Sequence, residues 1–238
     1  MNARRKDMHG CDGRLVLVTG GASGIGAGIA EVLAEAGATV VIADIDAVRA
    51  REQAALLCGA GHKATHVGMD LADNLVGTYR EVPPDAEWDG IHMPFADGSF
   101  DSAMATEVLE HCPDPGAVLR EAHRVLRPGG FLFFTVPFLW PLHDVPYDEY
   151  RYTPFSLRRI VGLAGFSDVE VKPLGGWDAS LAQMLGLWAL RRPMPAWTRR
   201  IMKQLTMPVV RHLIKHDHIP DPRSSPMITG LWGTAVKP

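Results

Sequence analysis

The side chains best suited to chemistry crowd the run PFLWPLHDVPYDEYRYTP, which holds His143, Asp144, Tyr147, Asp148 and Tyr150. A histidine titrates near neutral pH, so His143 can act as a general base on a bound substrate. His111 offers the same chemistry from an earlier segment. The alternative for each is plain structure: a loop histidine with no catalytic role, or a ring that closes a helix entrance. A different chemistry belongs to TGGASGIG, Thr19 to Gly26. There Gly20 lets the chain turn sharply off a strand, Gly24 lets a phosphate or ribose approach the backbone, and Gly26 lets the following helix pack close. The amides at that helix start, around Ile25, favour an anion. The next strand, VVIADID, closes on Asp44, an acid able to accept both hydroxyls of a ribose. Asp70 ends a further strand-like run, VGMD, and is a second candidate for the same task, or simply a turn former.

These residues need a scaffold that brings strand ends to one edge, and the hydrophobic pattern supplies it. Strands are expected at Leu15 to Thr19, Thr39 to Ala43, Thr65 to Met69, Asp101 to Thr106, Phe131 to Val136, Ser167 to Pro173 and Ile228 to Val236. Helices are expected at Gly24 to Ala36, Ala47 to Leu57, Pro115 to Leu126 and Pro154 to Ala164. In the first of them Ile25, Ile29, Val32 and Leu33 form the apolar face, and Gly37 stops it. The stretch from Leu75 to Trp88, with Pro83 and Pro84, reads as loop. Such alternation predicts an α/β fold, a three-layer sandwich around a mostly parallel, doubly wound sheet. Open sheets of this kind place substrate outside the carboxyl ends of their strands, where the His143 segment falls.

Composition narrows the class. A chain of 238 residues, 47% hydrophobic, can bury one sizeable core, so residues 14–238 are read as a single domain behind a basic leader at 1–13. A formal charge of -3 speaks against a nucleic-acid binder. Three scattered cysteines, Cys11, Cys58 and Cys112, suggest neither disulfides nor a zinc ligand set, so no metal is expected and the cytoplasm is the expected home. No run is long and apolar enough to span a membrane. Residues 179–216 contain no acid, however, and alternate Arg and Lys with apolar residues and with Trp188 and Trp197. That segment is either a helical cap over the sheet, inserted before the last strand and broken by Pro193, Pro195 and Pro208, or a peripheral contact with an anionic membrane that holds a small-molecule or lipid-linked acceptor.

Two family resemblances divide the chain. TGGASGIG with VVIADID resembles the short-chain dehydrogenase/reductase family over residues 14–73, which implies NAD rather than NADP at Asp44. That family's catalytic Tyr-x-x-x-Lys is missing; Tyr147 and Arg151 come nearest, so a working dehydrogenase is not expected. Residues 65–238 resemble the class I S-adenosylmethionine-dependent methyltransferases, type 11 domain. The resemblance rests on MPFADGSFD, EVLEH, REAHRVLRPGG and FTVP. It implies a Rossmann-like fold, S-adenosylmethionine as cofactor, and methyl transfer to an unidentified acceptor. It also implies that the Met93 backbone or Asp89 lies near the adenine, and that Asp70 is the ribose acid. The first loop departs from that family, since Val16 to Gly21 carries no carboxylate. The runner-up is an NAD-binding protein without reductase chemistry, and the third reading is a hybrid with no competent cofactor site.

Overall fold

Strand β1 (Leu15–Thr19) lies inside the sheet, parallel to β2 (Thr39–Asp44) on one side and to β5 (Phe100–Thr106) on the other. The computed structural model describes residues 11–44, 46–71, 86–88, 92–143, 145–219, 221–224 and 227–238. Outward from β2 come β3 (Lys63–Leu71) and β4 (Ala86–Trp88), and outward from β5 come β6 (Leu126–Pro137), β8 (Gly230–Val236) and β7 (Ser167–Leu174). The order β4-β3-β2-β1-β5-β6-β8-β7 is parallel except where β8 runs antiparallel between β6 and β7. This is the expected α/β architecture.

Alternation along β1 and β2 sends successive side chains to opposite faces. Val16, Val18, Val40 and Ile42 pack with alanines of α1 (Gly24–Glu35) and α2 (Ala47–Gly59). Leu17 and Val41 face the larger core, built with α3 (Pro115–Val125) and α4 (Pro154–Leu163). Helices therefore cover both faces. The two halves of the chain are also stitched at the foot of the sheet, where the Leu15 amide donates to the buried Asp101 carboxylate at 2.7 Å.

Three expectations are corrected. The inward face of α1 is Gly26, Ala30 and Ala34, while Ile25 and Val32 are 63% and 47% exposed. The helix lies so close to the preceding turn that a Cβ on Gly26 would stand 2.1 Å from the Gly20 carbonyl oxygen, which leaves room beneath it only for small residues. Second, Ala86–Trp88 is a strand, not loop; the remainder of the expected loop falls outside the described residues. Third, α6 (Ala196–His216) runs unbroken through Pro208, although Pro193 and Pro195 do separate it from α5 (Trp177–Arg191). These two helices are the expected insertion before the last strand, and Asp217 closes its base by accepting the Gly176 and Ala179 amides at 2.8 and 2.9 Å.

Candidate functional site

The carboxyl ends of β1, β2, β5 and β6 share one edge, because Thr19 pairs with Ala43 and Ala105, and Thr106 pairs with Thr135. At the end of β1 the Thr19 hydroxyl donates to the Met104 carbonyl at 2.8 Å, tying the strand to β5. Gly20 then turns with φ +65°, a conformation that favours glycine, and lies beside Thr106 and Val108. The turn is held from the other side by Asp44. Its carboxylate accepts the Ala22 amide and the Asp46 amide, both at 3.0 Å. Gly24, with φ +55°, has nothing within 4 Å of where a Cβ would be, so the backbone there is open to a bound group. Ser23 makes no side-chain cap, and the amides of the first turn of α1 are not spent on one.

Beside this turn, β5 ends in a segment that motif spacing singled out only in part. Glu107 adopts φ +54°, rare for a non-glycine residue. It is held there by β6: its amide donates to the Thr135 carbonyl at 3.1 Å, and its carboxylate accepts the Thr135 hydroxyl at 2.9 Å. Next comes a 3-10 turn, Leu109–His111. The Glu110 side chain is 0% exposed and neither of its oxygens is hydrogen-bonded. Burial above all pushes its carboxyl up to about 8; its own backbone amide nearby and Arg151 oppose the rise, and Glu107 and Asp148 add to it.

The loop after β6 reaches the same place. His143 stands against His111, ring centroids 4.8 Å apart, and its Nδ1 lies 3.1 Å from Asp148 Oδ2. Asp148 is 1% exposed and clasped by both terminal nitrogens of Arg151 at 2.6 and 2.8 Å. The arginine's hydrogen bonds hold this carboxyl well below the usual carboxylate range. His143 thus faces an ionised carboxylate that orients its ring, a partner that its position in the sequence did not reveal. Asp148→Asn would strand the Arg151 guanidinium and loosen His143. We expect a loss of about 2–3 kcal/mol, below the usual cost for a fully buried pair because Arg151 is partly exposed. The difference should be present above about pH 4 and vanish as pH falls further, since a depressed carboxyl gives its stability only while ionised. Urea unfolding at pH 7 and pH 3 checks this, and an equal effect at both would contradict it.

The other expected residues are placed as follows. Gly20, Gly24, Ile25, Gly26 and Asp44 form one turn at the shared edge, with Ile25 exposed on it. Asp70 lies near the carboxyl end of β3, paired with Glu87 of β4. The Met93 amide donates to Glu121 at 2.7 Å and its carbonyl accepts Arg124 at 2.9 Å, contacts that dock the loop to α3. Asp89 and Asp144 lie outside the described residues. Tyr147 and Arg151 do not form a dehydrogenase-like pair, because the Tyr147 carbonyl holds His111 and the guanidinium clasps Asp148.

The family model for a methyltransferase domain matches residues 50–134, and that for short chain dehydrogenases matches 14–77. A demethylmenaquinone methyltransferase of Staphylococcus saprophyticus is 26% identical over 157 residues, 51% of this chain and 67% of that one. A ubiquinone biosynthesis O-methyltransferase of Pseudomonas paraeruginosa is 32% identical over 126 residues, 53% of this chain and 45% of that one. The chain thus spans less than two thirds of several curated relatives it matches. Among solved structures, the phosphoethanolamine N-methyltransferase 2 of Haemonchus contortus, in complex with S-adenosylhomocysteine, covers 95% of this chain and 49% of its own at a TM-score of 0.56 and 17% identity, a likeness of fold. These similarities are to methyltransferases, and they point to S-adenosylmethionine as cofactor.

The residues present fit that cofactor. A turn in which a Cβ on Gly21 or Gly26 would strike backbone while the Gly24 backbone stays open, an acid at the end of β2, and the carboxylate of Glu107, the residue between Thr106 and Val108, answer to its backbone approach, its ribose and its positive charge. Glu107 lay inside the EVLEH motif but was not singled out; its φ and its Thr135 partners are what mark it.

Proposed function

We propose that this chain transfers a methyl group from S-adenosylmethionine to a proton-bearing acceptor bound at the shared edge of β1, β5 and β6. The observation that carries the reading is the position of Gly20, where a Cβ would lie within 4 Å of Thr106 and Val108, which sets the glycine turn of the first half beside the segment that opens the second. S-adenosylmethionine supplies a methyl group on a cationic sulfur. The chain's part is positional. Asp44 holds the ribose, Glu107 faces the cation, and His143, aligned by Asp148, receives the acceptor's proton. His143→Ala should lower transfer of a radiolabelled methyl group by about 100-fold or more while leaving S-adenosylhomocysteine affinity within a few-fold. Unchanged transfer would remove the base, and a chain that binds no S-adenosylhomocysteine would remove the whole reading. NAD held by the same turn is the second reading, favoured by the match over 14–77 and by Asp44.

An amphiphilic acceptor accords with relatives named for quinone biosynthesis and with the insertion beside the site. Helix α5 docks on the loop before His143, where the Gln183 amide donates to the Leu139 carbonyl and Arg191 lies over Trp140. Outside it, α6 buries none of its residues, and Trp197, Ile201, Leu205 and Val209 form an exposed stripe at helical spacing among Arg200, Lys203 and Arg211. No described helix is long and apolar enough to cross a membrane. The stripe instead suits an interfacial contact with anionic lipid. Binding to vesicles should rise with their anionic fraction and weaken in salt, each basic residue near the surface contributing about 1 kcal/mol. Equal binding to neutral and anionic vesicles would leave α6 as a cap.

A further inference from the structure

No metal is expected from the cysteines, yet the fold assembles a donor set from residues that the sequence keeps apart. We propose that Glu110, His111 and His143 bind one divalent cation of borderline softness, zinc being the best-matched case. Their donor atoms all lie within 4.8 Å of one another, with His111 Nε2 at 3.8 Å from Glu110 Oε1. Ligands around a tetrahedral ion with bonds of about 2.1 Å stand about 3.4 Å apart, so small side-chain rotations close the set.

Each ring is oriented for the task. His111 Nδ1 lies 3.1 Å from the Tyr147 carbonyl, and His143 Nδ1 lies 3.1 Å from Asp148 Oδ2. Both partners can only accept, so Nδ1 is the donor nitrogen in each neutral ring and Nε2, which in His111 is the nitrogen turned to Glu110, is the one with ligand chemistry. This pairing of a metal-facing nitrogen with a donor nitrogen fixed by carbonyl or carboxylate is how protein metal sites align their histidines. The third ligand brings a buried acid to the set. Glu110 is fully buried with both oxygens lacking hydrogen bonds, a costly arrangement that a cation would relieve.

Hydrogen bonds from the following segment hold the Glu110 backbone in place. The Glu149 and Tyr150 amides donate to the Glu110 carbonyl at 3.0 and 3.2 Å, and the Tyr152 hydroxyl donates to the Leu109 carbonyl at 2.7 Å. Two imidazoles and one carboxylate favour zinc over magnesium or calcium, and three protein ligands leave a position open for a substrate oxygen. Such a cation would occupy His143 Nε2, so in the loaded chain it would take over from that ring by lowering the pKa of a bound hydroxyl beside the methyl donor, and His143 serves as the base only in the metal-free chain.

Cation binding is read without nucleotide or acceptor, so it stands or falls apart from methyl transfer. The probe is Zn2+ alone, titrated into the full chain against a chromophoric chelator. One equivalent should bind, and His111→Ala and His143→Ala should each weaken it by about 100-fold. The exposed pair His212 and His216 on α6, ring centroids 4.3 Å apart, could also hold zinc, so a variant with both changed to alanine is the control and should keep the tight site. Because an alanine variant can fail to fold, Glu110→Gln carries a second readout. It should melt no lower than the parent in chelator, yet lose the rise in melting temperature that zinc gives the parent. Undiminished binding in His143→Ala or Glu110→Gln, or loss confined to the His212 and His216 variant, would overturn the proposal.

Discussion

Gly26→Ala should abolish nucleotide binding and lower the melting temperature by roughly 6–12 °C, while Gly28→Ala, one half-turn along the same helix, should do neither. The added Cβ at position 26 would meet the Gly20 carbonyl oxygen at 2.1 Å and the Gly20 carbonyl carbon at 2.8 Å. Both belong to backbone, so α1 must move away from the turn. Overpacking of this kind costs about 3 kcal/mol, and the same movement opens the cradle that holds the nucleotide. Gly28 lies in the interior of the helix with nothing within 4 Å of its Cβ position. Alanine there should be neutral or should stabilise by about 0.5–1 kcal/mol through helix propensity. Thermal melts and S-adenosylhomocysteine titration of the two variants are the measurement. Similar behaviour of both would show that the turn and α1 do not pack as described.

Glu110→Gln should stabilise the metal-free protein at alkaline pH and leave it nearly unchanged in acid. The folded carboxyl is raised to about 8, chiefly by burial. In the unfolded chain it ionises near pH 4.3, so between those values the unfolded state loses its proton while the folded state keeps it. The folded state then binds more protons, and stability falls as pH rises through this window until it levels off above the folded value. The loss is on the order of 3–5 kcal/mol. Glutamine has no such window. Urea unfolding in chelator at pH 5 and pH 8.5 should therefore show the variant close to the parent at the lower pH and well above it at the higher. The same difference at both would mean that Glu110 is not held in a dry environment.

What could be read from the chain follows from how far each signal reaches. The apolar run of β1, the glycine turn and Asp44 form one local unit, and local units survive translation into structure with their register intact. The inward face of α1 did not, because periodicity weighs hydrophobicity and not size. Close approach at Gly26 selected the alanines over Ile25 and Val32. Strand β4 has three residues, too few for any alternation to show. The site itself was half legible: His143 and EVLEH were each visible, but their meeting depends on β5 and β6 being neighbours in the sheet. Nor does a glutamate in a polar motif announce that it will be buried without a hydrogen bond. Met93 is a similar case, where the motif showed the residue but not the contacts of its backbone with Glu121 and Arg124.

The claim on which the rest depends is that the glycine turn of the first half and the carboxyl edge of the second make one pocket for S-adenosylmethionine, with Asp44 on the ribose. Calorimetric titration of S-adenosylhomocysteine and NAD into the parent, Asp44→Ala and Asp70→Ala tests it directly, with the fold of each variant confirmed. The expected result is binding of S-adenosylhomocysteine well above that of NAD. Asp44→Ala should lose about 1.5–3 kcal/mol, one to two powers of ten in affinity, and Asp70→Ala less. Tight NAD binding without S-adenosylhomocysteine would contradict the account, as would a loss carried by Asp70→Ala with Asp44→Ala unchanged.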